Sequence, residues 1–130
     1  MKKMKIYLFF ALLIVFVDSY VLADEIKYTG TFSSITYNEE SGDLSGIELR
    51  IIFTKKGYSG MLQICEGGAG NLIIVQPTIE KGNIRFSIAD KLYSGGFDGF
   101  IRADGIHGKF TFSGNVGSVE FLPRKKSYWD

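Results

Sequence analysis

The sequence predicts an all-β fold, arranged as a single antiparallel meander of about eight strands. Apolar and polar residues alternate with a period of two, and residues 24–130 show no sustained helical spacing of three and four. The links between strands are too short for parallel crossovers, so neighbouring strands are expected to pair antiparallel. We expect a small up-and-down barrel because closure removes exposed edges, with a two-layer β-sandwich as the alternative.

Residues 1–23 have the pattern of a bacterial signal peptide, which we expect to form a helix before the β-domain. Lysines at positions 2, 3 and 5 precede an apolar run over 6–17, and the small residue Ala23 follows. This run is shorter than the roughly 20 residues of a membrane-spanning helix, so a permanent anchor is the weaker alternative. We therefore predict cleavage after Ala23, export to the periplasm or the extracellular space, and one domain over residues 24–130.

The first four strands are predicted at 26–37, 44–53, 57–66 and 71–80. The first alternates until the turn sequence NEESGD, and the second and third flank TKKG. The fourth begins after the glycine-rich EGGAG and ends at EKGN. Glycine, asparagine, aspartate and serine favour turns, so each of these links is expected to close a hairpin.

The last four strands are predicted at 84–89, 96–102, 106–112 and 118–122. The sequence DKLYSG separates the first two of these, and a short helical turn is possible there. The links ADGI and SGNVG precede the last two strands. Asp104-Gly105 is expected to form a two-residue type I′ turn, which needs positive φ at both central positions.

Glycines recur inside these strands, and the hairpin registers suggest a reason. A two-residue turn at Asp104-Gly105 would place Gly99 opposite Phe110 and Gly108 opposite Ile101. Pairing Phe53 with Tyr58 sets Ile51 opposite Gly60, and pairing Tyr37 with Leu44 sets Gly30 opposite the same isoleucine. We therefore expect each glycine to face a bulky residue that fills its place.

Pro77 interrupts the fourth predicted strand. A turn at Lys81-Gly82 pairs Ile79 with Ile84 and would bring Pro77 opposite Phe86. Proline cannot donate a ladder hydrogen bond, so the strand is expected to bend, to bulge or to lie at an edge near residue 77. This is where a closed barrel is expected to have a gap.

Charge and cysteine content exclude two classes of protein. Removing the signal segment leaves 12 basic residues (15 minus 3) and 13 acidic residues (14 minus 1), so the formal charge falls from +1 to −1. A balanced chain without a basic stripe does not predict nucleic-acid binding. Cys65 is the single cysteine, which excludes an intramolecular disulfide framework, and we expect it to be buried.

The sequence contains no recognisable catalytic pattern, so we predict a non-enzymatic protein without metal or cofactor. His107 is the single histidine, so a catalytic triad would have to include it, and its expected cross-strand neighbour Arg102 disfavours an imidazolium. The GGAG sequence at 67–70 lacks the lysine of a phosphate-binding loop. The acidic loop at 38–43 does not match the twelve-residue calcium loop.

Two functions are consistent with these features. The first is a module whose interior binds an apolar small molecule or lipid, since eight-stranded barrels can hold one ligand. Its candidate binding residues are Tyr58, Glu66, Phe97 and Phe110. The second is a secreted or envelope protein-interaction or inhibitor module with a filled interior, which acts through its loops and a basic, aromatic tail. The tail residues are Arg124, Lys125, Lys126, Tyr128 and Trp129.

Overall fold

Residues 25–130 are described by a computed structural model, and they form two antiparallel β-sheets that are not closed into a barrel. Sheet A has the order β1-β3-β4-β5, with β2 also paired to β3, and sheet B has the order β10-β9-β8-β7-β6. The ten strands are β1 (Gly30–Ser33), β2 (Thr36–Asn38), β3 (Asp43–Thr54), β4 (Gly57–Gly67), β5 (Leu72–Val75), β6 (Thr78–Glu80), β7 (Asn83–Ala89), β8 (Ser94–Ile101), β9 (Gly105–Phe112) and β10 (Asn115–Pro123).

The all-β prediction is confirmed, and the predicted barrel and single eight-stranded meander are wrong. Two of the predicted strands are each divided in two. The strand at 26–37 becomes β1 and β2, and the strand at 71–80 becomes β5 and β6. The signal segment 1–23 lies outside the described residues. Among residues 25–130 there is no helix with the length and apolarity needed to cross a membrane.

Pro77 marks the point where the chain passes from one sheet to the other. Val75 ends β5 in sheet A, and Thr78 begins β6 in sheet B. The predicted interruption is therefore confirmed, and Ile79 does pair with Ile84. The predicted pairing of Pro77 with Phe86 is not formed, because the ladder between β6 and β7 ends at the pair of Thr78 and Arg85.

The registers predicted for sheet A are confirmed. Phe53 pairs with Tyr58, and Tyr37 pairs with Leu44. Ile51 lies between Gly30 and Gly60 in the sheet and is almost fully buried. Here the missing side chains do leave room for a bulky neighbour.

The register predicted for β8 and β9 is wrong by two residues. The turn spans four residues, with the Arg102 amide donating to the Gly105 carbonyl at 2.8 Å, and Asp104 does not have the positive φ that a type I′ turn requires. Gly99 therefore lies opposite Gly108, and Phe97 lies opposite Phe110. A shift of two keeps every side chain on its predicted face.

The Gly99–Gly108 pair has a steric role different from the predicted one. A Cβ atom at Gly108 would lie 2.3 Å from Cζ of Phe97 and 2.6 Å from the Asp98 carbonyl oxygen. The Phe97 ring thus occupies the space above Gly108, and the two backbones approach closely. Glycine at position 108 therefore makes room for the ring of Phe97, which is its diagonal neighbour on β8, and not for the residue directly opposite it.

Both sheets contribute to one hydrophobic core. Rings of sheet B pack against one another, with centroid distances of 5.2 Å between the stacked rings of Phe86 and Phe97 and 4.7 Å between the tilted rings of Phe97 and Phe110. The buried apolar residues of this core are Phe32, Leu49, Ile51, Leu62, Ile64, Ile73, Val75, Ile84, Phe86, Ile88, Phe97, Ile101, Ile106, Phe110 and Leu122. Burial of these side chains is the main force that holds the two sheets together.

We predict that Gly108→Ala lowers the free energy of unfolding by about 1–3 kcal/mol, because the added methyl group has no room beside Phe97 and the β8 backbone. Gly68→Ala is the control, since a Cβ there would have no atom within 4 Å. Chemical denaturation of both variants provides the measurement. Equal stabilities for the two variants would contradict the close packing at Gly108.

Candidate functional site

The C-terminal tail, residues 124–130, begins at a fixed anchor. The Arg124 guanidinium donates through Nη1 to the Thr29 carbonyl at 2.8 Å and through Nη2 to the Lys27 carbonyl. It also lies 4.5 Å from the ring centroid of Phe32. Together with an isolated bridge between Phe32 and Arg124, these contacts join the end of β10 to β1 of the other sheet. Arg124 is thus a structural residue as well as a predicted surface cation.

The tail then crosses the outer face of sheet A and buries the carboxylate of Glu48. Ser127 Oγ donates to Glu48 Oε1 at 2.5 Å, and the Tyr128 amide donates to Glu48 Oε2 at 2.9 Å. Glu48 is only 7% exposed, although its side chain points away from the core. A buried carboxylate is costly unless it is hydrogen-bonded, so these two donors are what make burial of Glu48 tolerable.

Gln63 is the cross-strand neighbour of Glu48 and fixes the position of the tryptophan. The Trp129 indole Nε1 donates to Gln63 Oε1 at 2.6 Å, and Gln63 Nε2 donates to the Gly70 carbonyl at 2.7 Å. Asp130 lies 3.7 Å from the Arg50 guanidinium. The amide of Gln63 therefore links the tail to the loop between β4 and β5.

These contacts leave a groove beside the tail, which we call the tail groove. It has a volume of about 400 Å³ and is open to solvent. Its lining residues are Glu48, Arg50, Met61, Gln63, Ala69, Leu72, Ser127, Trp129 and Asp130. Its floor contains hydrogen-bonded polar groups, and its sides carry the exposed apolar side chains of Met61, Leu72 and Trp129. Such a surface can bind a partner through shape and apolar contact.

The four residues predicted to bind a ligand do not form one site. Phe97 and Phe110 contact each other within the core, and each is only 3% exposed. Tyr58 is half-buried at one end of β4, with its ring 4.9 Å from that of Phe53. Glu66 is exposed near the other end of the same strand. The proposed ligand contact of these residues stays a prediction, and their positions favour a role in packing for the two phenylalanines.

Glu66 contributes to a smaller cleft at the rim of the molecule. The Tyr93 hydroxyl donates to Glu66 Oε2 at 2.8 Å, beside the glycine-rich loop that follows β4. This hydrogen bond, with smaller contributions from burial and the nearby carboxylates, raises the pKa of Tyr93 above its ordinary value. Glu66 thus lies where the end of β4 meets water.

His107 lies outside the tail groove and is not the cross-strand partner of Arg102 that the sequence predicts. It is opposite Phe100, because the turn before it is longer than predicted. Its Nε2 is 3.1 Å from Asp104 Oδ1, and its ring stacks on Phe121 at 4.5 Å. Within residues 25–130, no group of three or more histidine, cysteine, aspartate or glutamate residues could hold a metal ion. Cys65 is buried and is a free cysteine.

Sequence reasoning identified the aromatic tail but missed most of the residues that hold it. The predicted pairing of Phe53 with Tyr58 also sets Glu48 opposite Gln63 on the outer face, and this pairing is confirmed. Nothing in a period-two pattern indicates that an outward-facing pair will be buried by a segment 80 residues away. Two adjacent hydrogen-bonding side chains on an outer face that also carries Met61, Leu72 and Ile74 are the signal that could have suggested a covering segment.

The chain has no match in three comparisons with known proteins. No protein-family model matches it, and neither a curated protein nor a solved structure matches it.

We predict that Glu48→Ala increases the acrylamide quenching of Trp129 fluorescence, because the tail loses two hydrogen bonds to a charged acceptor, each worth about 1.5–3 kcal/mol. Trp129 is the single tryptophan, so the signal reports only on the tail. The control is Glu66→Ala, which removes an exposed carboxylate of the same strand pair. Equal quenching in both variants would contradict the role of Glu48.

We also predict that Glu66→Gln lowers the pKa of Tyr93 towards its ordinary value, because the amide is a weaker acceptor for the phenol proton. The folded state holds this proton more tightly than the unfolded chain does, so the hydrogen bond stabilises the fold below the ordinary tyrosine pKa. That stability is lost as pH rises through the raised pKa. A pH titration of the tyrosine ring carbons by NMR measures the change, with exposed Tyr37 as the internal control. An unchanged Tyr93 titration would contradict the assignment.

Proposed function

We propose that this chain is an exported, non-enzymatic protein-interaction module that binds a partner protein at the tail groove. The observation that carries the proposal is the construction of the tail: buried, fully hydrogen-bonded contacts hold it in place, while its tryptophan is left half-exposed beside Met61 and Leu72. An exposed tryptophan held rigidly at a groove is the kind of side chain that contributes most to protein interfaces.

Apolar exposure on the outer face of sheet A supports a protein partner. Ile52, Leu72 and Ile74 are each more than half exposed, and Met61 lies among them. Soluble proteins rarely leave such contiguous apolar surface without a binding role. Lys125 and Lys126 are exposed where the tail enters this face, so a partner with an apolar centre and an acidic border fits best.

The other function expected from the sequence, an apolar ligand held inside, finds less support in the geometry. The rings of Phe86, Phe97 and Phe110 contact one another between the sheets. A ligand there would have to separate these rings and would forfeit their packing energy. Export is proposed on the amino-acid pattern of residues 1–23 alone.

The proposal is tested by a photo-cross-linking amino acid placed at position 61, in the tail groove, in the cell that produces the protein. We expect one dominant protein adduct. The control places the same cross-linking amino acid at position 100, which is accessible on the outer face of sheet B, and should not give this adduct. The adduct is identified by mass spectrometry, and the partner is then purified.

Affinity for the purified partner provides the decisive measurement. Met61→Lys places a charge at the centre of the proposed contact, and we expect the dissociation constant to rise by about tenfold or more, which corresponds to about 1.4 kcal/mol. Phe100→Lys is the matched control and should leave the affinity unchanged. Equal affinities for the two variants would overturn the proposed site.

A further inference from the structure

The edges of the two sheets differ in how they are protected against pairing with another chain. Sheet A ends in β1 on one side, and there the tail covers the edge through a bridge from Arg124 to Phe32 and through the Lys125 amide, which donates to the Thr31 carbonyl at 3.2 Å. Exposed strand edges invite further pairing, and covering an edge is one way in which proteins prevent it.

Sheet B protects its edges by other means. Its edge strand β6 has only three residues, and Glu80 and Lys81 place charges at its end. Its other edge strand, β10, contains an irregularity between Val116 and Val119 and carries Glu120. Short length, charge and bulges each disfavour the addition of a further strand.

Strand β5 is also short, with four residues, but it lacks the charge and the bulge that protect sheet B. It is the last strand of sheet A, and residues 25–130 place no strand beyond it. The eleven residues from Gly67 to Pro77 contain no charged side chain. Ile73 and Val75 point into the core, whereas Leu72 and Ile74 are 64% and 63% exposed. The strand therefore combines a free backbone edge with an apolar outer face.

We propose that two copies of this chain associate by antiparallel pairing of β5 with β5. A two-fold axis through such a pair brings the residues next to the axis close to their own copies, so a charge there would repel its symmetry-related copy. A charge-free strand avoids this repulsion. The partner that best matches the edge is thus the same edge.

The alternation of side chains limits the register of this pairing. Residues directly opposite each other in an antiparallel pair lie on the same face of the sheet, so core-facing residues must meet core-facing residues. Pairing centred on Ile73 satisfies this rule and places Leu72 of one copy opposite Ile74 of the other. The two sheets A then form one continuous sheet, and the exposed leucine and isoleucine pack across the junction.

The inference does not depend on the tail groove. Leu72 and Ile74 both belong to the apolar outer face described above, but the pairing uses the backbone edge of β5, and Ile74 does not line the tail groove. A failure of the cross-linking at position 61 would therefore not contradict the dimer. A monomeric protein would not contradict partner binding at the tail groove.

Mass measurement over a range of concentrations tests the proposal, by analytical ultracentrifugation or by size exclusion with light scattering on residues 24–130. We expect a concentration-dependent dimer. Ile74→Lys should raise its dissociation constant by about tenfold or more, because the two introduced lysines become diagonal neighbours across the pair and repel each other. Ile52→Lys is the matched control, since Ile52 is 53% exposed on the same face but lies on the central strand β3. It should dimerise like the unaltered chain.

Charge complementation makes the test specific for pairing of β5 with itself. Ile74→Lys and Ile74→Glu should each be monomeric and folded by circular dichroism, and an equal mixture of the two should recover the dimer. If either Ile74 variant fails to fold, the same pair of charges at Leu72 replaces it. A protein that is monomeric at every concentration, a dimer that is insensitive to Ile74→Lys, or a mixture that does not recover the dimer would overturn the proposal.

Discussion

The surface site depends on one interaction, the acceptance of two hydrogen bonds by the buried carboxylate of Glu48. Its donors, Ser127 and the Tyr128 amide, come from the last residues of the chain. The carboxylate alone would be a destabilising group under a covering segment, and the tail alone would be a short mobile end. The tail supplies the hydrogen bonds that the buried Glu48 carboxylate needs, and the carboxylate holds the tail in place. The position of Trp129 follows from this contact.

The core explains why function is assigned to the outside of the molecule. Side chains of both sheets fill the space between them, and the close approach at Gly99 and Gly108 lets the Phe97 ring fill part of it. Pro77 breaks the hydrogen-bonded path that a barrel would need, so the chain divides into two sheets with distinct edges. The molecule then has two kinds of surface for the proposed partners. The outer face of sheet A exposes apolar side chains, and the β5 edge exposes backbone groups.

The sequence allowed accurate prediction where the apolar pattern set the register. In sheet A, the pairing that brings the apolar residues onto one face places Ile51 between Gly30 and Gly60, and Ile51 does lie there. At Asp104-Gly105 only the turn type was available, and a four-residue turn moved the register by two without changing any face. The tail could not be placed at all, because its position depends on contacts with residues far away in the sequence. Such contacts leave no periodic trace.

Solvent exchange of two protons tests the docked tail most directly. In an NMR spectrum of residues 24–130, the Trp129 indole proton and the Tyr128 amide proton should exchange slowly with water, because Gln63 and Glu48 accept them. The Trp129 ring should also show nuclear Overhauser contacts to Met61. Rapid exchange of both protons, together with chemical shifts typical of an unfolded chain for residues 127–130, would contradict the account.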